Sequence, residues 1–158
     1  MSDHNTDSAI APIKIAPFIP HDGAMSLLDT IISQRPNGIT AQVRINEDAL
    51  FAETEGVPSW VGIEYMGQAI AAYAGLKART SGGAVKIGFL VSTRRYEPMC
   101  SHFPLGSLLD VSVEAVTDGN TGLQIFQCQI TGHNISVQSN LNVFMPDNVD
   151  QFMLENLS

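Results

Sequence analysis

Basic residues are scarce in this chain: eight Lys and Arg stand against sixteen Asp and Glu, giving a net charge of −8. Phosphate backbones are bound by basic surfaces, so nucleic acid is excluded as a general partner. Cysteine is scarcer still. Cys100 and Cys128 are the only two and lie far apart, which fits reduced structural thiols better than a disulfide or a metal site. The four His are scattered, and no Cys-x-x-Cys or His-x-x-x-His spacing occurs, so no metal is expected. Apart from one helix rich in Gly and Ala, no run of about 18 apolar residues is free of charge or turn signals, and no membrane span is expected. The first eight residues are acidic and polar, lacking the basic start and apolar middle of a signal peptide, so the expected location is cytoplasmic. No repeat or linker is visible, and 158 residues with 44% hydrophobic content suit one core. The expected division is a flexible tail at 1–10, one domain at 11–146 and a C-terminal tail at 147–158.

What the chain does contain is an apolar helical stretch with a carboxylate inside it, running from Val57 to Leu76. Ile63, Met66, Ile70 and Tyr73 recur at helical spacing, while Glu64 and Gln68 lie four apart and project from one face. Between Trp60 and Leu76 the only charged residue is Glu64, whereas a surface helix carries a charged stripe. The helix is therefore expected to be buried nearly all round. Two readings of Glu64 stay open. It is a partly exposed carboxylate favoured by the positive end of the helix dipole, or a buried one whose raised pKa lets it work as a general acid or base, oriented by Gln68. Pro58 is expected in the first helical turn, where a missing N–H is no loss. The free N–H groups of Ser59, Trp60 and Val61 would then sit at the helix entrance, Ser59 and Trp60 forming an oxyanion or positioning site for a carbonyl oxygen.

Around that helix the pattern is β. Residues 39–45 alternate as a half-buried strand after the turn Arg35-Pro36-Asn37-Gly38, and residues 25–33 read as a strand or as helical turns leading into one. Ser81-Gly82-Gly83 ends the helical region. Four strand-like runs follow, at 85–96, 107–116, 121–131 and 135–144, with turns at Asp118-Gly119-Asn120 and Gly132-His133-Asn134. Short runs joined by tight turns imply an antiparallel meander whose apolar face is covered by the one long helix, an α+β architecture. Lys77, Arg79, Lys86, Arg94 and Arg95 are five of the eight basic residues and fall in a stretch without Asp or Glu. Lys77 and Arg79 either complement the helix C-terminus or join a positive patch that docks an acidic partner or a phosphate.

The element order resembles the hotdog fold, a curved antiparallel sheet wrapped around one long central helix. Residues 19–29, Ile-Pro-His-Asp-Gly-Ala-Met-Ser-Leu-Leu-Asp, resemble the Leu-Pro-His-Arg-x-Pro-x-Leu-Leu-x-Asp opening of the 3-hydroxyacyl-acyl-carrier-protein dehydratases. Residues 58–68, Pro-Ser-Trp-Val-Gly-Ile-Glu-Tyr-Met-Gly-Gln, resemble their Pro-Gly-x-x-x-x-Glu-x-Met-x-Gln helix. Within that group the Trp-Val-Gly-Ile-Glu-Tyr-Met run is closest to dehydratase-like proteins of aryl-polyene-type clusters. The resemblance implies elimination of water from a 3-hydroxyacyl thioester to a trans-2-enoyl thioester, in fatty-acid or polyene-type biosynthesis, with no cofactor. Glu64 would be the acid. The family's histidine before the helix is missing from residues 51–57, which makes His21 the candidate replacement and His102 the second. Phe51, Met66 and Trp60 are candidate tunnel walls. Arg94, Arg95 and Lys86 would meet the phosphopantetheine arm of an acyl carrier protein or acyl-CoA. A homodimer, or a heterodimer with a paralogue, is implied. The rivals are a hotdog thioesterase, in which Glu64 activates water, and a non-catalytic subunit serving an active paralogue.

Overall fold

The computed structural model describes residues 8–19, 23–80, 89–116 and 123–144. Nine strands, one long helix and three short 3-10 turns make up these residues. The strands are β1 (Ser8–Lys14), β2 (Thr30–Arg35), β3 (Gly38–Arg44), β4 (Val57–Pro58), β5 (Phe89–Arg94), β6 (His102–Phe103), β7 (Leu108–Ala115), β8 (Leu123–Gly132) and β9 (Ile135–Phe144), and the helix α1 is Gly62–Thr80. Seven strands form one antiparallel sheet in the order β1-β2-β3-β7-β8-β9-β5, while β4 and β6 pair separately. The strand after the helix, β5, thus lies at one edge of the large sheet, and β3 before the helix pairs with β7.

Alternation explains which face carries the helix. In β9, Ile135, Val137, Leu141 and Val143 are buried while Ser136, Gln138 and Asn140 are exposed, the period of two that a strand imposes. In β7, Leu109, Val111 and Val113 point inward in the same way. Against this face α1 sets Met66, Ala69, Ile70 and Tyr73, all buried, and the Tyr73 ring meets Phe126 edge-on at 5.9 Å, a favoured aromatic geometry. At the other end of the helix, a Cβ on Gly75 would lie 2.0 Å from the Phe18 carbonyl oxygen. Only glycine allows that approach of backbone to backbone.

The structure differs from the expectations in four places. Strand β1 begins at Ser8, so residues 8–10 are part of the sheet rather than of a tail, because they find the β2 edge to pair with. Val57 and Pro58 are extended and pair with Phe103 and His102; Pro58 precedes a 3-10 turn at Ser59–Val61 instead of opening the helix. The helix is not buried all round. Glu64, Lys77 and Arg79 are exposed, and Gly67, Ala71 and Ala74 half-buried, because the sheet covers one side of α1 only. Finally, β3 is buried on both faces along most of its length, since Arg35 folds over its outer side and donates to the Thr40 hydroxyl at 3.0 Å and the Ile39 carbonyl at 2.9 Å. The turn expected at Asp118-Gly119-Asn120, the helix end at Ser81-Gly82-Gly83 and the C-terminal tail lie outside the described residues. The β8–β9 turn is found at His133 and Asn134, with Asn134 at φ +58, a conformation its short polar side chain tolerates. Among the described residues no helix is long and apolar enough to cross a membrane.

Candidate active site

The entrance to α1 is built by the pairing of β4 with β6. That pairing places Ser59 beside Ser101, and the Ser59 N–H donates to the Ser101 carbonyl at 2.9 Å. The N–H expected to await a substrate oxygen is therefore occupied. The Ser59 carbonyl accepts the Tyr96 hydroxyl and, at the helix start, the Gly62 N–H. Gly62 has no room for a side chain, because a Cβ there would meet the Tyr96 hydroxyl oxygen at 1.9 Å. Trp60, at 59% exposure, stands in the open and packs edge-on against Phe51 at 5.4 Å. Phe51 adopts φ +72, a left-handed conformation that costs a bulky residue about 1–3 kcal/mol. Of the three candidate walls, Phe51 and Trp60 are exposed, and Met66 is fully buried in the core.

Glu64 lies on the open side of α1, which favours the first reading of this carboxylate over burial within the single chain. Its neighbour Gln68 is the reverse, a fully buried polar side chain with its amide saturated. Gln68 Nε2 donates to the Met25 carbonyl at 2.6 Å and to Glu64 Oε1 at 3.3 Å, and Gln68 Oε1 accepts the Leu27 N–H at 2.8 Å. The i, i+4 spacing brings the two side chains together as the sequence indicated. What the sequence does not reveal is the second half of the arrangement. Gln68 fastens the segment that holds residues 23–27 to the helix turn that carries Glu64.

His21 and Lys86 lie outside the described residues. His102 does not stand free: its Nε2 meets Glu53 Oε1 at 2.8 Å and Glu55 Oε2 at 3.6 Å, and its Nδ1 meets the Ser101 hydroxyl at 3.0 Å. The loop that lacks the family's histidine thus receives an imidazole from β6, and no local sequence pattern joins positions 49 residues apart. The ligand atoms of Glu53, Glu55 and His102 lie within 4.8 Å of one another. The imidazole between two exposed carboxylates accounts for that approach without a metal. His133 is exposed in its turn.

Arg94 and Arg95 are exposed and border a cavity of about 730 Å³ on the face of the sheet away from the helix, with Arg35, Gln127, Gln138 and Asn140. Arg35 is committed to the strands, reaching the Val113 carbonyl at 3.2 Å and Glu114 at 3.8 Å. Arg95 adopts φ +54, and the next residue, Tyr96, turns back to the helix entrance. The run from Arg94 to Tyr96 therefore links the cavity edge to the first turn of α1. Burial holds the phenols of Tyr65 and Tyr96 above the usual tyrosine range, so both keep their protons at neutral pH.

The model of the ApeP-like family, described as ApeP dehydratase, matches residues 13–154. No curated protein has a matching sequence. Among solved structures, the dehydratase heterocomplex ApeI:P from Xenorhabdus doucetiae is similar with a TM-score of 0.80 and 24% identity, over 91% of this chain and 98% of that one. A hypothetical thioesterase with coenzyme A from Streptococcus pneumoniae TIGR4 follows at a TM-score of 0.56 and 12% identity, over 73% and 83% of the two chains. The PaaI protein of E. coli gives 0.54 and 12%, over 72% and 80%. At these identities the structures establish the shared hotdog fold.

Proposed function

The chain belongs to the ApeP-like dehydratase family, and from that membership we propose that it removes water from a 3-hydroxyacyl thioester carried on phosphopantetheine, giving a trans-2-enoyl thioester in polyene-type biosynthesis in the cytoplasm. The observation that carries this reading is the Gln68 amide, which holds Glu64 and the Met25–Leu27 backbone in one hydrogen-bonded unit. His21 lies four residues before Met25 in the sequence. In the elimination, neutral His21 takes the α-proton and the electron pair left on the α-carbon forms the new double bond. The bond to the β-hydroxyl breaks, and Glu64 supplies the proton with which that group leaves as water.

Proton donation to a leaving hydroxyl is favoured where bulk water is excluded. The open side of α1 gives a reason for a second subunit, which would cover Glu64 in a homodimer or with a paralogue. One similar structure is a dehydratase heterocomplex, which supports the paired form. Arg94 and Arg95, together with Lys86, would hold the phosphate of the arm, and the locally positive edge on an otherwise acidic protein suits an acidic acyl carrier protein. Ser59 and Trp60 line the approach of the thioester, with the Trp60 N–H as a donor that the 3-10 turn itself does not use.

Mass spectrometry of a 3-hydroxyacyl-carrier thioester incubated with wild type, Glu64→Ala and His21→Ala tests the reading. Loss of one water with wild type alone is expected. Release of free acid would move the assignment to a thioesterase, and an unchanged thioester, with the chain alone and with a paralogous subunit added, would leave a non-catalytic subunit.

A further inference from the structure

The first turn of α1 holds a hydroxyl that the elimination above does not use. Tyr65 is 2% exposed, and its ring lies tilted against Phe103 at 6.1 Å between centroids. Its oxygen has no hydrogen-bond partner among the described residues. At the helix entrance the Ser59 N–H is taken by Ser101 and the Ser59 carbonyl by Tyr96, and the Gln68 amide is taken by Met25, Leu27 and Glu64. A buried hydroxyl without a partner lowers stability, and native structures retain few of them.

Position gives this one a use. With 3.6 residues per turn, Gln68 lies about 40° and Tyr65 about 100° around the helix from Glu64, so the three occupy neighbouring strips of the helix surface within about one turn of each other. Burial first, and then the nearby Tyr96 and Asp29, oppose ionisation of the phenol. Tyr65 is therefore a donor that keeps its proton, unsuited to act as a base. An elimination that begins by removing an α-proton builds negative charge on the thioester carbonyl oxygen, and such charge is stabilised by a fixed donor of this kind. The backbone donor at Ser59 is already spent on Ser101.

We propose that Tyr65 is a substrate-contacting residue, whose unpartnered hydroxyl donates a hydrogen bond to the carbonyl oxygen of the bound acyl thioester. The inference rests on the dehydratase reading for the identity of the substrate. It separates from a packing role because the two move stability in opposite directions.

The test compares wild type with Tyr65→Phe and Tyr96→Phe. For each, kcat and KM are measured for water loss from a 3-hydroxyacyl-pantetheine thioester, together with Tm and the Kd for the corresponding amide, which retains the carbonyl but is not turned over. Tyr65→Phe is expected to lower kcat roughly ten- to thousandfold, to weaken amide binding about tenfold, and to leave Tm unchanged or raised. Tyr96→Phe, which removes a satisfied hydroxyl, lowers Tm. Wild-type turnover by Tyr65→Phe overturns the proposal, as does a lowered Tm with kcat intact, the sign of a hydroxyl satisfied by buried water. Should wild type eliminate no water, the dehydratase reading fails by itself. The amide then decides: weaker binding by Tyr65→Phe upholds the contact, and equal binding, or none by wild type, overturns it.

Discussion

The two ends of α1 are built on opposite terms. At the C-terminal end every feature closes the structure: Gly75 brings the helix against the Phe18 carbonyl, the Arg79 guanidinium lies over the Phe18 ring at 4.7 Å, and the Lys77 ammonium over Tyr73 at 5.8 Å. Both cations also sit where the helix dipole favours positive charge. At the N-terminal end Trp60 and Phe51 stand exposed, Phe51 in a left-handed conformation, Glu64 faces outward and the Tyr65 hydroxyl has no partner among the described residues. One end is optimised for folding. The other retains features that reduce stability in the single chain, as sites that bind something commonly do.

That contrast breaks if changes at the closed end disturb the chemistry, or if changes at the open end cost much stability. The largest stability effect is expected from Gly75→Ala, whose Cβ would lie 2.0 Å from a backbone oxygen. A loss of about 1–3 kcal/mol should appear in the urea midpoint, with turnover per folded molecule unchanged. Turnover that falls further than the folded fraction would show the two ends to be coupled.

Next comes the alkaline limb of stability. Burial pushes the Cys128 thiol from 9.0 up to about 12. The unfolded chain therefore releases this proton first, and stability is fully present below pH 9 and lost as pH rises from 9 toward 12. At full slope one group contributes about 1.4 kcal/mol per pH unit. Urea midpoints measured between pH 8 and 11 should fall less steeply for Cys128→Ala than for wild type; equal slopes would assign the loss to the entrance phenols of Tyr65 and Tyr96, which titrate in the same direction. The smallest effect belongs to Trp60→Ala. At 59% exposure its removal should change unfolding free energy by no more than about 0.5 kcal/mol, while weakening binding of a pantetheine thioester in a calorimetric titration.

The helix, the strand runs after it and the two hairpin turns were legible because each is encoded by neighbours: period 3.6 through Met66, Ile70 and Tyr73, period two through Val111 and Val113, and Pro36-Asn37 or His133-Asn134 at the bends. The contact between Glu64 and Gln68 was legible for the same reason. What escaped depends on residues distant in the chain. A two-residue strand such as β4 has no periodicity to detect, yet its pairing with β6 removes the Ser59 N–H from the site. Nothing near Glu53 indicates that His102 will meet it, and nothing near Gln68 indicates Met25 and Leu27, 43 and 41 residues away. The open side of α1 is not legible, because an absence of charged residues along a helix suggests burial all round. In the structure that side of α1 is lined with the small residues Gly67, Ala71 and Ala74, which leave it open without adding charge.

The bond from the Leu27 N–H to Gln68 also equips the molecule with an internal clock for its own site. This amide proton can exchange with solvent deuterium only when the segment lifts away from the helix turn that bears Glu64, so its exchange rate counts those openings. The integrity of the Glu64–Gln68 arrangement is therefore readable at one backbone position in a resting protein.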